Sequence, residues 1–274
     1  MRRLMAPVVF LIGMLQGHSA AAESVDLELV LLADASRSID NAEIRFQRQG
    51  YAAAITHPEV LGAIAQGFEQ RIVVTYVEWG EASSQEVVVP WTVVDGPESA
   101  AAFADALLAA PRRAFGPNAI GNALAAAHAL IETNEFGGHR KVIDFSADSA
   151  YSFGGMPVAA ARAAALGADI VINGLAILCR AKECSGRPVS YDLEAAFADT
   201  IIGGPASFVI TADRDDRFAQ AVRRKLLLEI AGAPDMRIAR PSPGRPQRSL
   251  ASRSAHVPTA SDNRLDWSDS PGKS

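Results

Sequence analysis

Oxygen-bearing side chains follow the first aliphatic run of this sequence at alternate positions. Asp34, Ser36 and Ser38 form the pattern D-x-S-x-S directly after residues 25–33. In a tight loop, alternate side chains can converge on one point. Carboxylate and hydroxyl oxygens, without imidazole or thiolate, are ligands for a hard cation such as Mg²⁺, Mn²⁺ or Ca²⁺. The pattern therefore predicts a divalent-cation site. The alternative is that Asp and Ser here cap the next helix.

Two later segments add oxygen atoms of the same kind. Asn118 lies in a loop with Gly116 and Pro117 that leads into a helix, and Asp148 lies just beyond a strand predicted at residues 141–146. In an open parallel sheet, ligands bind at the carboxyl ends of the strands. Five side chains are therefore predicted to face one edge of the sheet: Asp34, Ser36, Ser38, Asn118 and Asp148.

Alternating strand and helix patterns must position these side chains. The β-rich runs are residues 25–33, 71–77, 86–94, 141–146, 169–177 and 207–211, and the helical patterns are residues 41–55, 97–109, 119–131, 157–166, 191–201 and 213–230. This alternation predicts a doubly wound α/β fold, with a mostly parallel six-stranded sheet and helices on both faces. Pro90 interrupts the third run, so this strand is expected at an edge, antiparallel in a hairpin with the second.

The order of the three segments resembles the von Willebrand factor A domain and its metal-ion-dependent adhesion site. That family has D-x-S-x-S, then T-x-x-G before a helix, then an Asp after the following strand. The resemblance spans residues 25–232. The phrases Tyr76-Val77-Glu78-Trp79, Val142-Ile143-Asp144-Phe145-Ser146 and Ile201-Ile202-Gly203-Gly204-Pro205 are similar to those of a secreted bacterial branch without an assigned function.

The resemblance implies a role for each site residue. Ser36 and Ser38 would bind the ion, Mg²⁺ first with Mn²⁺ or Ca²⁺ as alternatives, through their hydroxyls. Asp34 and Asp148 would supply negative charge directly or through water. Asn118 stands where the family has threonine, and its amide oxygen is a competent hard ligand that is differently placed. The ion would complete its shell with a carboxylate from a partner protein, so the resemblance implies an adhesion or scaffold domain.

The two ends of the chain differ from its middle. Residues 1–22 have a basic start, an apolar stretch and an Ala-x-Ala end, which predicts a signal peptide cleaved after Ala22. A membrane anchor is the alternative, but the apolar stretch falls short of the roughly 20 residues that span a bilayer. An exported, periplasmic or extracellular protein without a transmembrane segment is expected. Residues 233–274 are rich in Pro, Ser and Arg and predict a disordered tail, or one that contacts an anionic surface.

Cysteine usage and one buried acid carry further expectations. Export favours a disulfide between Cys179 and Cys184, with free thiols or half a metal site as alternatives. Asp144 lies within a strand that should be buried, so its carboxylate needs a partner. Arg140 or a group on a neighbouring strand is the candidate. We expect a structural role for Asp144 rather than catalysis.

Composition and missing motifs narrow the function classes. The chain has 274 residues, is 49% hydrophobic and carries a net charge of −5; residues 23–232 alone carry −10. This balance argues against a nucleic-acid partner. The sequence lacks G-x-S-x-G, H-E-x-x-H and the phosphate-binding loop. A non-enzymatic binding domain is expected. The alternatives are a metal-dependent hydrolase, a domain with a degenerate metal site and a solute-binding protein, which usually has two lobes.

Overall fold

The computed structural model describes residues 22–178, 190–213 and 218–232. Strands and helices alternate along this part of the chain. The strands are β1 (Glu23–Asp34), β2 (Ile72–Trp79), β3 (Gln85–Val94), β4 (Phe136–Ala147), β5 (Ile170–Leu178) and β6 (Val209–Asp213). The helices are α1 (Asn41–Ile55), α2 (Pro58–Ala65), α3 (Pro97–Ala109), α4 (Ile120–Glu132), α5 (Val158–Gly167), α6 (Leu193–Thr200) and α7 (Phe218–Ala231).

All six strands form one sheet in the order β3-β2-β1-β4-β5-β6. The pair β2–β3 is antiparallel, and the other four neighbouring pairs are parallel. The prediction of a doubly wound sheet with one antiparallel edge strand is confirmed. Pro90 lies in β3, at the sheet edge. An edge strand is paired on one side only, so a residue without an N–H is tolerated there.

Helices cover both faces of the sheet, as the sequence predicts. Helices α1, α2, α3 and α7 pack on one face, and α4, α5 and α6 pack on the other. Alternate residues of β1 supply both cores, since Leu29 and Leu31 face the first set and Val30 and Leu32 face the second. Burial on both sides explains why β1 is a continuous aliphatic run rather than an alternating one.

Strand order places the edge where ligands can bind. From β1 the chain first adds β2 and β3 on one side, and then β4, β5 and β6 on the other. The connections therefore diverge at the carboxyl ends of β1 and β4, the topological switch point of the sheet. Asp34 ends β1 and Asp148 follows β4, so both lie beside this crevice.

The partner predicted for Asp144 is wrong. Lys225 of α7 lies 2.8 Å from Asp144 Oδ1, and both side chains are fully buried. Lys225 Nζ also lies 2.5 Å from the carboxylate of Glu229, one turn further along α7. Arg140 instead donates to the backbone carbonyls of Glu229 and Ile230. Arg140 lies near the start of β4, and its side chain reaches the end of α7 from there.

One helix was not expected from the sequence. Residues 58–65 carry no predicted element, yet they form α2. His57 caps this helix, because its ring nitrogen accepts from the backbone N–H of Glu59 at 3.2 Å, and Pro58 occupies the first turn. A short helix with two buried positions, Val60 and Ile64, gives little periodicity to detect.

Candidate metal centre

The D-x-S-x-S segment leaves the sheet at the end of its central strand. Asp34 is the last residue of β1, and the backbone N–H of Ala35 donates to Trp79 O of β2 at 2.8 Å. The amide of Gln47, on α1, donates to Asp34 O at 3.2 Å. Helix α1 begins at Asn41 with Asp40 as its cap. The loop between β1 and α1 is thus held from both sides.

Four of the five predicted side chains form one chain of contacts. Asp34 Oδ1 accepts from the Ser36 backbone N–H at 2.8 Å. The hydroxyls of Ser36 and Ser38 lie 3.2 Å apart. The Ser38 hydroxyl donates to Asp148 Oδ1 at 3.1 Å, which joins the loop after β1 to the loop after β4. The expectation that these residues meet at one edge therefore agrees with their positions.

The fifth residue, Asn118, reaches the same edge through its backbone. Gly116 O accepts from the Arg37 N–H at 2.8 Å, so this loop is tied to the D-x-S-x-S segment. Asn118 O accepts from the Phe153 N–H at 2.5 Å, which ties it to the loop that follows Asp148. Asn118 is 6% exposed. Asn118 thus belongs to the same group of loops, while the contacts above join the other four residues directly.

The two carboxyl groups are buried and form no ion pair among the described residues, although the charge of the Arg112 guanidinium interacts with that of Asp34. Asp34 is 0% and Asp148 7% exposed. Burial, followed by the negative charge of Asp148, raises the pKa of the Asp34 carboxyl to about 7. Burial also raises the pKa of Asp148. Within the part of the chain that the structure describes, Asp34 Oδ2 has no hydrogen-bond partner, and neither carboxylate forms an ion pair.

The chemistry of this group fits a hard cation. Its contacting atoms are carboxylate and hydroxyl oxygens, with an amide nearby, and such oxygens suit Mg²⁺, Mn²⁺ or Ca²⁺. A bound cation would supply the missing positive charge to Asp34 and Asp148. No cluster of three or more His, Cys, Asp or Glu side chains suited to a metal occurs among the described residues, so a site based on imidazole or thiolate finds no support there.

Comparison with known proteins places the chain in a family. Residues 24–234 match the family described as "Protein of unknown function (DUF1194)". The chain belongs to this family. A search of curated proteins finds no match for this DUF1194 protein.

Solved structures share the fold of this DUF1194 protein. Proximal thread matrix protein 1 from the mussel byssus, with a zinc-occupied MIDAS motif, is 16% identical, with a TM-score of 0.50 over 77% of this chain and 48% of that one. The pilus adhesin SpaC from Lactobacillus rhamnosus GG is 12% identical, with a TM-score of 0.49 over 77% and 31%.

The von Willebrand factor domain of the pili tip protein Mfa5 from Porphyromonas gingivalis is a third similar structure. It is 10% identical, with a TM-score of 0.47 over 76% of this chain and 95% of that one. Identities this low establish the fold alone, which is that of the von Willebrand factor A domains. The chain spans about half the length of the mussel protein.

Two residues that the sequence analysis did not single out hold the loop in place. Gln47 bonds Asp34 O, as described above. Arg112, after α3, donates to Ala35 O at 2.6 Å and to Ser36 O at 3.3 Å. Both act through backbone carbonyls of the loop. A bond to a carbonyl leaves no pattern of residue types in the sequence, so no signal was available to find them.

Several predictions fall on residues outside the described part of the DUF1194 protein. These are the signal peptide, the disulfide between Cys179 and Cys184, and the tail at residues 233–274. Among the described residues, no helix has the length and apolar character needed to cross a membrane.

Proposed function

We propose that this DUF1194 protein is a protein-interaction domain that binds a carboxylate of its partner through a divalent cation. One observation carries the proposal: two buried carboxyl groups, Asp34 and Asp148, meet through Ser36 and Ser38 at the switch point of the sheet, and no cationic side chain of the described residues pairs with them. Two like charges so placed are stabilised by a positive ion.

A cation held there would keep a position for a ligand from outside. We assign Ser36 and Ser38 as hydroxyl ligands, with Asp34, Asp148 and Asn118 as further oxygen donors. Mg²⁺ usually retains several waters rather than taking an all-protein shell, so a partner carboxylate can replace a water. The mussel protein of the same fold is described with zinc in its MIDAS motif, which supports a divalent ion at this edge.

Calorimetry with the purified protein tests the metal step. We expect Mg²⁺ or Mn²⁺ to give binding heat with the wild type and none with Ser36→Ala/Ser38→Ala, because that variant lacks both hydroxyl ligands. Ser83→Ala is the control, since Ser83 is an exposed serine of the β2–β3 turn whose hydroxyl contacts Glu81. This control should bind like the wild type.

Two results would contradict the proposal. Equal heats from the wild type and the double variant would show that the ion binds elsewhere. No heat from the wild type, with a folded protein by circular dichroism, would indicate a degenerate site. The thermal unfolding curve of each variant in EDTA shows whether the substitutions left the fold intact.

The same proposal includes the location of the protein. We propose export with cleavage after Ala22, a Cys179–Cys184 disulfide formed in the oxidising compartment, and a solvated tail. The intact mass of the protein recovered from the cell envelope or medium tests the first two points. We expect a mass that begins at Glu23 and is two hydrogens below that of the reduced chain. A mass that includes residues 1–22 would contradict cleavage.

A further inference from the structure

A groove lined with arginine begins beside the candidate metal centre. One cavity is bordered by Arg37 and Arg112 next to the D-x-S-x-S loop. A second is bordered by Arg45 of α1, Leu108 of α3 and again Arg112. The two cavities adjoin, since both are also lined by Asn41, and we call them together the arginine groove. It leads from the loop of Ser36 and Ser38 along the amino-terminal part of α1.

Two of its arginines have charges that nothing described neutralises. Arg37 and Arg45 are exposed, and their side chains form no hydrogen bond or ion pair with the residues the structure describes. Asp40 is the one acid among the lining residues, and its carboxylate, which accepts from the backbone N–H groups of Ala42 and Glu43, offsets the charge of one of the four arginines. The rim of the groove is therefore positively charged.

The other arginines give the groove a fixed frame. Arg112 donates to Ala114 O at 3.2 Å and to Asn41 Oδ1 at 3.2 Å, besides its bonds to the metal-site loop. Arg48 is buried and paired with Glu78 at 2.8 Å. These two guanidinium groups are held by the fold, whereas Arg37 and Arg45 remain available to a ligand. A preformed frame reduces the ordering that binding requires.

The apolar part of the groove favours a polypeptide. Leu108 is 49% and Phe115 54% exposed, and the Arg112 guanidinium lies 4.9 Å from the centre of the Phe115 ring. These side chains offer apolar contact between the arginines. An extended segment with acidic and apolar residues would satisfy both surfaces.

We propose that the arginine groove binds an acidic polypeptide segment of the partner, adjoining the residue whose carboxylate reaches the metal ion. This inference rests on the proposed function, and it names the chemistry of the partner. The groove is cationic although residues 23–232 carry a net charge of −10, so its charge is opposite in sign to the net charge of the domain. A long nucleic acid would also lie against the acidic surface around the groove, whereas a short acidic segment can stay within the local positive charge.

Fluorescence anisotropy with a labelled oligoglutamate peptide tests the groove. The peptide is titrated with the full chain in Mg²⁺ and in EDTA. In Mg²⁺ we expect Arg37→Gln/Arg45→Gln to weaken binding about five- to tenfold, the effect of losing two partly exposed charge contacts. Arg45→Gln alone should account for part of this loss without altering the metal-site loop.

The control removes the same charge elsewhere. Arg223→Gln/Arg224→Gln changes two arginines of α7 that do not line the groove. This control should bind the peptide within about twofold of the wild type, since only long-range attraction is lost. Equal weakening in both double variants would overturn the inference, because the peptide would then respond to net charge alone. Equally tight binding of an oligoglutamine peptide or an oligonucleotide would also overturn it.

The Mg²⁺ and EDTA arms separate this inference from the metal proposal. Peptide binding that depends on Arg37 and Arg45 but is equal in both buffers supports the groove and contradicts the metal-bridged carboxylate. Binding that needs Mg²⁺ but is indifferent to both arginines supports the metal bridge and overturns the groove. Calorimetry of Mg²⁺ with Arg45→Gln should give the wild-type affinity.

Discussion

Among the described residues, two pairs of buried carboxyl groups can be compared, Asp144 with Glu229 and Asp34 with Asp148, and the first pair has a lysine between its members. Within the core, Asp144 and Glu229 share the ammonium group of Lys225, at 2.8 and 2.5 Å. Tyr51 donates to Asp144 at 3.3 Å, and Asn173 donates to Glu229 at 3.1 Å. This cluster, which we call the core cluster, links α7 to β4 and β5.

The pair at the sheet edge has a different set of partners. Asp34 and Asp148 accept from a backbone N–H and a hydroxyl, and neither forms an ion pair within the described residues. Lys225 supplies a positive charge to the core cluster from within the fold, although Asp144 Oδ2 and Glu229 Oε2 have no hydrogen-bond partner among the described residues. The edge pair forms no ion pair with a cation of the described residues, and this contrast supports the proposal that it receives one from solution.

Removal of Lys225 should have the largest effect on stability. Lys225→Met leaves two buried carboxyl groups without their cation, which typically costs about 3–5 kcal/mol of unfolding free energy. Urea unfolding at neutral pH measures this loss. Lys141→Met is the matched control, because Lys141 and Glu132 are 3.2 Å apart and partly exposed. Such surface pairs contribute about 0–1 kcal/mol.

A rescue variant tests the cause of that loss. Adding Asp144→Asn to Lys225→Met removes one of the two unpaired carboxylates, so part of the lost stability should return. If Lys225→Met costs no more than Lys141→Met, or if Asp144→Asn deepens the loss, the core cluster is not held by its lysine in the way the distances indicate.

At the edge, removal of a charged group should change the stability of the protein only through its effect on the metal ion. Asp34→Asn keeps an oxygen for the Ser36 N–H but removes a charge beside Asp148. In EDTA we expect stability equal to or above that of the wild type. Mg²⁺ at about 100 times its dissociation constant should stabilise the wild type by about 2.7 kcal/mol and the variant hardly at all.

An exposed aspartate provides the control for this experiment. Asp105→Asn, on α3, should retain the full stabilisation by Mg²⁺. Urea unfolding with and without the ion measures all three proteins. A marked loss of stability of Asp34→Asn in EDTA would show that Asp34 serves the fold rather than the ion, which would remove the contrast between the two pairs.

The positions of the edge pair could be predicted from the sequence although Asp34 and Asp148 are far apart along the chain, because each directly follows a strand of the parallel sheet. Asp34, Ser36 and Ser38 lie in one short segment after an aliphatic strand, and a parallel sheet brings the ends of its strands to one edge. Pro90 similarly identified the edge strand, because proline lacks the N–H that an interior strand needs. Patterns over a few residues, combined with general rules of sheet topology, indicated both positions, and the family resemblance linked Asp34 to Asp148.

The core cluster could not be predicted in the same way. Asp144 and Lys225 are far apart in sequence, and their contact depends on how α7 packs across the sheet. The sequence predicted a partner for Asp144 on its own or a neighbouring strand, but Arg140 binds backbone carbonyls of α7 instead. Long-range pairing between single residues leaves no periodic pattern, so only the folded structure identifies it.

A pH-dependent effect concerns the proton content of the core cluster. Burial, followed by the charge of Asp144, raises the pKa of Glu229 to about 8 from an ordinary value of 4.5. The folded protein therefore holds a proton that the unfolded chain releases at lower pH. This contribution to stability is full below about pH 4.5 and is lost as the pH rises through about 8. Two acids beside one lysine thus share a proton over this range.

Glu229→Gln tests this reasoning, because a neutral amide of the same shape cannot titrate. In EDTA, the wild type should lose more stability than the variant between pH 5 and pH 8, by up to about 3–4 kcal/mol if the shift is fully expressed. Asp34, whose pKa is also raised, titrates in both proteins, so it cancels in the difference. Glu132→Gln, at the surface, should follow the wild-type curve. Parallel curves for Glu229→Gln and the wild type would mean that Lys225 balances both acids without a shared proton.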